Sequence, residues 1–331
     1  EESVKDPYTV FLDPKEYAAL NGDLDGGNFG GIGVVIESDV TSKYIIASEV
    51  VPGSPADKAG VQQGDTIVQI DGVSTKGQTI QQASARLRGT TGTSVTLSIQ
   101  AGDTSPIPVT IKRAMIRELS VYNKMLPGKI GYVELTVFGR DTGAELSDAL
   151  ARLQQEGARA IVMDLRDNGG GYLDAAVAVS SKFIPSGPIV SEESRASQIT
   201  TYEADDTAIP PLPLAVLVNG YTASASEITT GAIQDDGAGT IIGTKTFGKG
   251  VVQNVYALAD GSAIKITTAR YLTPHNRNIN HIGIVPDIVL AENKTPLFGN
   301  PARDAQLQRA IDYLNDRIAH LGDGTPSGTY K

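Results

Sequence analysis

A closely spaced series of turn motifs between Gly53 and Gly72 constrains the fold more than any other stretch of the chain. Gly53-Ser54-Pro55-Ala56 reads as a turn, a serine N-cap and a proline in the first helical turn, and Gly60 ends the short helix. The next segment, Asp65 to Ile70, alternates like a half-buried strand and turns back at Asp71-Gly72. One helical turn enclosed between strands predicts a small, mainly β unit.

The predicted unit extends on both sides of these turns. A glycine loop, Gly31-Ile32-Gly33-Val34, opens a β-branched strand, and a helix from about Thr79 to Arg88 precedes two further strands. The loop does not fit a dinucleotide-binding fingerprint, because that motif follows a strand and opens a helix. The unit spans about 85 residues, a size suited to one domain, and ends near residue 114.

Together, the turn motifs and the glycine loop resemble a PDZ domain. The resemblance implies that backbone N–H groups of Gly31-Ile32-Gly33-Val34 bind the terminal carboxylate of a peptide, which adds to the sheet edge as a strand. Glycines at two of these positions permit the turned backbone and the close approach that such a loop needs. Without the downstream turns, the loop alone would be read as the start of an ordinary hairpin.

From residue 115 onward, strands and helices alternate. Apolar segments of strand length are predicted at 129–137, 158–165, 214–219 and 240–243, and helices at 142–155, 172–183, from 224 onward and at 302–319. Residues 256–258 and 262–269 are predicted to form a hairpin that turns at Asp260-Gly261. Strands that are apolar on both faces and alternate with helices are typical of an α/β layer architecture.

Composition and charge narrow the function classes. The net charge of −10 and the absence of tryptophan argue against nucleic acid as a partner, because phosphates need a basic surface and single strands need aromatic platforms. The chain has no cysteine, which excludes disulfides and cysteine–metal sites. No apolar run reaches the roughly 18 residues that span a bilayer. Glu1-Glu2-Ser3 shows no signal-peptide pattern, which is compatible with removal of a leader.

Ser224 is the first candidate for chemistry. It follows the predicted strand 214–219 and stands at the predicted start of a helix, where unpaired N–H groups and the helix dipole stabilise negative charge. This placement suits a nucleophile with an oxyanion hole. It equally suits a helix N-cap, since Glu227 three residues later would complete a capping box. The serine alone leaves both roles open.

Lys249 follows Ser224 by 25 residues, within Phe247-Gly248-Lys249-Gly250. A lysine serves as a base only when its pKa, ordinarily near ~10.4, is lowered by burial or by a neighbouring cation. Residues 243–249 match the first part of a phosphate-binding loop, but position 250 is glycine where serine or threonine would hold magnesium. An ordinary surface lysine remains as an alternative.

The three histidines offer a different base. His275 and His281 lie in a polar loop and His320 in the predicted last helix, and none has metal-ligand spacing with another. Nothing in the sequence favours a Ser-His-Asp triad through one of them, but the sequence does not rule it out either.

Several motifs together resemble the carboxy-terminal processing, or tail-specific, peptidases. They are Asp6-Pro7-Tyr8, the PDZ segment, the loop from Asp164 to Gly171, and the runs Thr222 to Glu227 and Phe247 to Gly250. The resemblance covers most of the chain and implies a serine endopeptidase with an inserted PDZ domain. It implies that Ser224 is the nucleophile, that Lys249 is its base, and that Gln253, four residues later on a predicted strand, orients the lysine.

The same resemblance implies roles for neighbouring residues. Backbone N–H groups of Gly170 and Ala225 form the oxyanion hole, and Ser226 is structural. Arg88 is similar to a residue that helps couple peptide binding to activation, although a surface arginine is its ordinary reading. Members of the family usually carry Asn-Pro-Gly-Gly where this chain has Asn168-Gly169-Gly170-Gly171. We therefore expect the hole to form from a less rigid loop.

The resemblance also implies an architecture and partners. An N-terminal segment, 1–28, packs on the core, a mainly β PDZ domain spans 29–114, and an α/β catalytic core of crotonase-like β/α layers spans 115–331. The expected substrates are C-terminal tails of proteins, with no cofactor and no metal, in an extracytoplasmic compartment such as the bacterial periplasm or cell envelope. A segment ahead of Glu1 could add peripheral membrane association or a homodimer.

Two rival functions come from other classes. One is a catalytically silent, PDZ-containing peptide-binding scaffold of the same fold, and retention of serine, lysine and glutamine at matching spacing argues against it. The other is a nucleotide-dependent enzyme, which would need the complete phosphate loop that the sequence lacks.

Overall fold

The computed structural model describes residues 6–24, 28–39, 41–51, 53–102, 104–117, 119–293 and 299–322. The ends of the predicted N-terminal segment, 1–5 and 25–27, and the last residues of the chain, 323–331, lie outside these ranges. The chain forms two compact units. The large unit combines Glu1–Gly26 with Leu119–Lys331, and the small unit is Gly27–Glu118.

The elements are numbered in chain order. Up to the end of the small unit they are β1 (Val10–Leu12), α1 (Pro14–Leu24), β2 (Asn28–Gly31), β3 (Val34–Ser38), β4 (Ile45–Val50), α2 (Pro55–Lys58), β5 (Thr66–Ile70), β6 (Val73–Ser74), α3 (Ile80–Leu87), β7 (Ser94–Gln100), β8 (Ile107–Lys112) and β9 (Ala114–Arg117). In the rest of the large unit they are β10 (Val121–Leu126), β11 (Ile130–Leu135), α4 (Thr142–Gln155), β12 (Ala160–Asp164), α5 (Leu173–Ser180), β13 (Pro188–Ser194), β14 (Ile199–Glu203), β15 (Leu214–Val218), α6 (Ala225–Asp236), β16 (Thr240–Gly243), β17 (Val251–Ala257), β18 (Ala263–Leu272), β19 (Ile288–Val289) and α7 (Ala305–Gly322), which a short 3₁₀ turn at Pro301–Arg303 precedes.

The small unit is a twisted antiparallel sheet with two short helices. Its strands follow the order β3-β4-β5-β7-β8, with β6 paired to β5, so that β3 lies at one edge. The predicted one-turn helix is α2, and Ser54 caps it by accepting the N–H of Asp57 at 3.2 Å. α3 begins at a capping box between Thr79 and Gln82. The local sequence thus determines where both helices start.

The large unit is a mixed α/β structure around a six-stranded sheet. The strand order is β10-β11-β12-β15-β16-β19, antiparallel between the first two strands and parallel thereafter. Alternate side chains of β12 lie on opposite faces of the sheet. Ile161 and Met163 pack with α4, α5 and α6, whereas Ala160 and Val162 pack with α7. All five residues of β12 are buried, as its continuous apolar sequence predicts.

A second sheet in the large unit follows the order β1-β18-β13-β14, with β17 also paired to β18. Its hairpin turns at Asp260-Gly261 as predicted, but its first strand begins at Val251 rather than at residue 256. β10, β13 and β14 were not predicted, because their mixed burial leaves no clear alternation. No helix among the described residues is both long enough and apolar enough to cross a bilayer.

A buried ion cluster ties the sheet to the C-terminal helix. Arg166, just after β12, contacts Asp164 at 2.5 Å and Asp304 at 2.6 Å, and its side chain is fully buried. The hydroxyl of Tyr132 on β11 donates to Asp164 at 2.8 Å. Because each buried charge has partners, the cluster fixes the backbone immediately before the glycine loop at 168–171.

Candidate active site

A cavity of about 640 Å³ lies in the large unit, beside the start of α6. The parallel strands β12 and β15 end at the same edge of the sheet, so the loops that follow them meet here. The cavity brings together the five residues predicted for the chemistry, which are Ser224, Lys249, Gln253, Gly170 and Ala225.

Ser224 has a strained backbone at the turn from β15 into α6. Its φ is 58° and its ψ is −119°, a region that residues with side chains rarely adopt and that costs on the order of 1–3 kcal/mol. A sharp turn between a strand and a helix exposes the serine of many hydrolases in the same way. The strain is therefore compatible with a nucleophile and is not required by a simple helix cap.

Glu227 links the main chains of Ser224 and Lys249. Its fully buried carboxylate accepts the N–H of Ser224 at 3.0 Å and the N–H of Lys249 at 2.8 Å. The other carboxylate oxygen accepts the N–H of Gly248 at 2.7 Å and the hydroxyl of Thr246 at 2.6 Å. The glutamate expected in a capping box thus also holds the loop that carries the lysine, through charge-assisted hydrogen bonds.

Tyr271 on β18 joins the same two residues from their carbonyl side. Its hydroxyl lies 3.2 Å from the carbonyl oxygen of Ser224 and also bonds the carbonyl oxygen of Lys249. Since a hydroxyl has one proton, the two carbonyls share it. Burial, reinforced by the charge of Glu227, raises the pKa of Tyr271 well above its ordinary value, so it stays protonated. Sequence reasoning missed this residue, because nothing distinguishes it from an ordinary core aromatic.

Lys249 sits where its ammonium form is disfavoured. Its pKa is lowered from 10.5 to about 8, mainly by burial and to a lesser extent by the positive charge of Lys265, while Glu227 acts in the opposite sense. Lys265 lines the same cavity, and burial lowers its pKa too. About half of the Lys249 side chains are therefore neutral near pH 8 and able to accept a proton.

The glycine loop packs directly against the serine turn. A Cβ added to Gly170 would lie 2.7 Å from the Ala225 nitrogen and 2.8 Å from the Ser224 Cβ. Buried Asn168 holds the loop in place, because its carbonyl oxygen accepts the Ala223 N–H at 3.0 Å. The N–H of Gly170 donates to the side chain of Asn168 at 2.9 Å. Gly170 and Ala225, the two residues predicted to form the oxyanion hole, are thus adjacent. The N–H of Gly170 is already bonded to the side-chain amide of Asn168.

Two more predicted residues have clear partners. The buried hydroxyl of Ser226 donates to the carbonyl oxygen of Asn168 at 3.0 Å, which fits a structural serine. The amide of Gln253 donates to the carbonyl oxygen of Tyr8, and no hydrogen bond joins Gln253 to Lys249 among the described residues. The ring of Tyr8 instead lies 5.5 Å from Lys249 Nζ. Tyr8 therefore contacts both the glutamine and the lysine.

The histidines lie apart from this arrangement. Within the described chain, none of the three is part of the cavity wall. The ring of His275 is 69% exposed beside Asp235, which also pairs with Arg277. His281 contributes its main-chain N–H to Gly248 at 2.7 Å. The described geometry therefore offers Ser224 a lysine and no histidine within its cavity.

The predicted tail-binding loop lies beside the edge strand β3 of the small unit. Gly33 has φ +80°, and a Cβ there would lie 2.3 Å from the Cβ of Ser54. Ile32 is buried in the core, and its carbonyl oxygen accepts the N–H of Ala56 at 2.8 Å. Val34 pairs with Val50 on β4, which leaves the other side of β3 unpaired in this sheet. An edge of this kind can accept an added strand.

Arg88 caps the C-terminal end of α3. Its guanidinium lies over the ring of Phe29, 4.0 Å from the ring centroid, within the range of a cation–π contact. The residue is therefore engaged within the small unit, rather than being an unattached surface arginine.

A strained serine and a lysine of lowered pKa in one cavity have the make-up of a serine hydrolase. The sequence matches the model of Peptidase family S41 over residues 129–290 and a PDZ domain model over residues 46–101. The chain belongs to Peptidase family S41, as a carboxyl-terminal-processing serine protease with a PDZ domain. A silent scaffold is not favoured, and the two modules imply peptide or protein substrates.

Individual relatives agree with this family assignment. A carboxyl-terminal-processing protease of Synechocystis sp. is 36% identical over 337 residues, which cover 98% of this chain and 78% of the relative. A probable CtpA-like serine protease of Staphylococcus aureus is 36% identical and aligns with 87% of this chain, but with only 58% of its own length. The solved photosystem II D1 C-terminal processing protease is 35% identical with a TM-score of 0.53, covering 88% of this chain and 79% of that protein.

Proposed function

We propose that Ser224 and Lys249 form the catalytic dyad of this protease. The observation that carries the proposal is the position of Lys249: it lines one cavity with Ser224, and its pKa is lowered to about 8. An amine with a pKa near neutrality is a better general base at physiological pH than an ordinary lysine. Glu227 and Tyr271 support the assignment, because they bond the main chains of both residues.

In the acylation step, the neutral amine of Lys249 takes the proton of the Ser224 hydroxyl while the serine oxygen attacks the scissile carbonyl carbon. The new ammonium then gives that proton to the leaving amine as the peptide bond breaks. In deacylation, the same lysine takes a proton from water as the water oxygen attacks the acyl carbon, and the ammonium returns that proton to the Ser224 oxygen as the ester bond breaks. Protons balance over the cycle, and no cofactor is needed.

The oxyanion needs two donors. Ala225 is the first residue of α6, where main-chain N–H groups lack partners within the helix. The second donor is Gly170, whose N–H must exchange its bond to Asn168 for the developing negative charge. This exchange favours the transition state, because a charged acceptor competes better for the N–H than a neutral amide does.

The substrate tail docks on the small unit. Its last residues add as a strand to the open edge of β3, and the loop Gly31-Ile32-Gly33-Val34 binds the terminal carboxylate. Arg88, held over Phe29, couples this docking to catalysis. The name of the D1 C-terminal processing protease supports a substrate that is cut near its C-terminus.

The finer architecture belongs to the same proposal. We infer crotonase-like β/α layers in the catalytic core and Gln253 as the third member of the site through its contact with Tyr8. The sequence-based domain limits of 29–114 and 115–331 divide β9, which pairs with β2, so we place the boundary after β9 instead. An extracytoplasmic compartment is supported by the family and by the absence of thiols that could oxidise there. Membrane association or a homodimer would rest on a segment ahead of Glu1.

The test is degradation of an unfolded protein that bears an apolar C-terminal tail. Ser224→Ala and Lys249→Ala should each reduce cleavage by about four orders of magnitude or more. The reason is that removing one member of a catalytic unit costs nearly as much activity as removing all of its members. Lys245→Ala, an exposed lysine four residues earlier, is the matched control and should cleave normally. If Lys249→Ala cleaves normally while substitution of the three histidines abolishes cleavage, the dyad is wrong.

A further inference from the structure

The N-terminal segment lies against the hairpin that carries part of the cavity wall. β1 pairs antiparallel with β18, and Val10 lies opposite Lys265. Just before β1, the carboxylate of Asp6 accepts the N–H of Tyr8 at 3.1 Å and the hydroxyl of Thr9 at 2.6 Å. The segment is thus held on both sides of Tyr8, by a turn and by a strand.

Tyr8 makes two separate contacts with cavity residues. Its carbonyl oxygen accepts the amide of Gln253, and its ring centroid lies 5.5 Å from Lys249 Nζ. Tyr8 is half-buried and does not itself line the cavity. A bound substrate would therefore meet Lys249 and Gln253, while Tyr8 supports both from behind.

The ring has two opposing effects on the lysine. It excludes water from one side of Nζ, which favours the neutral amine, and its face attracts the ammonium ion, which favours the charged form. At 5.5 Å the cation lies near the outer limit of about 6 Å for such attraction. Burial is also the largest influence on the pKa of Lys249. We therefore expect the exclusion of water to be the larger of the two effects of the ring.

The other charges facing Lys249 come from two elements. Lys265 on β18 favours the neutral amine, and Glu227 on α6 favours the ammonium. The hydroxyl of Tyr271 bonds the lysine carbonyl and stays protonated. The Tyr8 ring comes from a third element, the segment before β1, and adds an uncharged contact to the environment of Nζ.

We propose that Tyr8 is a positioning residue of the protease: its ring shields the amine of Lys249 from water, and its carbonyl fixes Gln253 beside it. The proposal rests on the dyad assigned above and extends the site to a segment more than 200 residues away in sequence. The catalytic base is then built by two parts of the chain, the loop after β16 and the segment before β1.

The test compares Tyr8→Ala with Tyr8→Phe in the full chain. Both variants keep the main-chain carbonyl, and only Tyr8→Phe keeps a ring. In Tyr8→Ala, water reaches Nζ, so the rising limb of kcat/KM against pH should move up by about one pH unit, with activity at pH 7 about tenfold lower. Tyr8→Phe should restore the wild-type limb. Tyr256→Ala, an exposed tyrosine on β17 outside the cavity, is the matched control and should not move it.

A second readout is independent of turnover. The ¹³Cε resonance of Lys249, followed by NMR in a Ser224→Ala background, should titrate at higher pH when Tyr8→Ala is added. An unchanged titration, or one that moves to lower pH, overturns the proposal, and so does a Tyr8→Phe variant that behaves like Tyr8→Ala. Failure of the dyad itself would look different: Lys249→Ala would then cleave normally in the chain with Tyr8 intact.

Discussion

The cavity of the large unit and the glycine loop of the small unit are built on opposite principles. In the cavity, buried side chains bond the main chains of Ser224 and Lys249, with Glu227 on the N–H groups and Tyr271 on the carbonyls. In the glycine loop, the polar contacts use the loop's own backbone: the carbonyl oxygen of Gly33, a residue with positive φ, accepts the hydroxyl of Ser54 beside the open edge of β3.

The difference reflects what each region must do. The proton transfer that we propose between Ser224 and Lys249 requires two atoms at a fixed separation, and buried charge-assisted bonds provide that precision. A tail that varies in sequence is recognised best through groups that all peptides share, which are the carboxylate and the main chain. Side-chain substitutions should therefore damage the cavity, whereas changes in backbone conformation should damage the loop.

The largest effect is expected for Glu227→Gln. An amide cannot accept four hydrogen bonds as the carboxylate does, and each lost bond to a buried charged group costs about 1.5–3 kcal/mol. We expect kcat to fall on the order of 10²–10³-fold. Glu193→Gln, on β13 and outside the cavity, pairs with the half-exposed Arg270; it is the control and should retain kcat. A near-normal kcat for Glu227→Gln would show that the activity of the cavity does not depend on these side-chain hydrogen bonds.

The pH dependence should sharpen the description of the cavity. The folded pKa of Lys249 is lowered to about 8, so the reactive neutral form is lost as pH falls below that value. We expect kcat/KM to decrease about tenfold per pH unit between pH 7 and 5 and to level off above about pH 8. An inflection near pH 6.5 that disappears when the histidines are replaced would indicate a histidine base instead.

The same shift predicts a stability change. Because the unfolded lysine binds protons up to its ordinary pKa of about 10.4, stability should rise with pH between about 8 and 10.5 from this group. Lys249→Met removes the titrating amine and should flatten that rise in urea unfolding monitored at each pH. An equally steep rise in the variant would mean that another group is responsible.

In the small unit, Gly33→Ala should impair binding of the peptide tail. The added Cβ would lie 2.3 Å from Ser54 in a positive-φ position, so the loop must move. We expect about tenfold weaker binding of a C-terminal peptide, measured by fluorescence anisotropy, with unchanged kcat on a short peptide that bypasses the loop. Gly53→Ala carries a similar φ strain at +74° with open space around it, and should bind normally.

The smallest effect is expected for Tyr271→Phe. The ring still fills its buried site, and only one hydroxyl proton shared by two carbonyls is lost. The loss of a neutral hydrogen bond is worth about 0.5–1.5 kcal/mol, so kcat should fall only a few-fold to about tenfold. A loss as large as that of Glu227→Gln would show that the carbonyl side is as important as the N–H side.

Much of the site was accessible from the sequence because its residues lie in short motifs. Ser224, Lys249, Gly170 and Ala225 all belong to contiguous runs, and each run follows an apolar strand whose pattern is unambiguous. The helix α4 was predicted to the residue, since its apolar face repeats at helical spacing over 14 residues.

The remainder depends on long-range contacts that leave no local pattern. Tyr271 and Tyr8 are ordinary aromatics in sequence, and only the fold brings them to Lys249. The family resemblance implies that Gln253 orients the lysine, whereas in the structure its amide bonds a carbonyl 245 residues away. The strand β10 was missed because it lies at the sheet edge and is only partly buried. Its apolar residues therefore repeat with neither the two-residue period of a strand nor the 3.6-residue period of a helix.

The ion cluster of Arg166 has a consequence for the order in which the large unit assembles. Asp304, which neutralises this arginine beside the glycine loop, lies 138 residues further along the chain. Until the segment just before α7 docks, a guanidinium built for burial lacks one of its two carboxylates, and breaking such a pair costs about 3–5 kcal/mol. The backbone ahead of the glycine loop is therefore fully fixed only when these two distant segments have met.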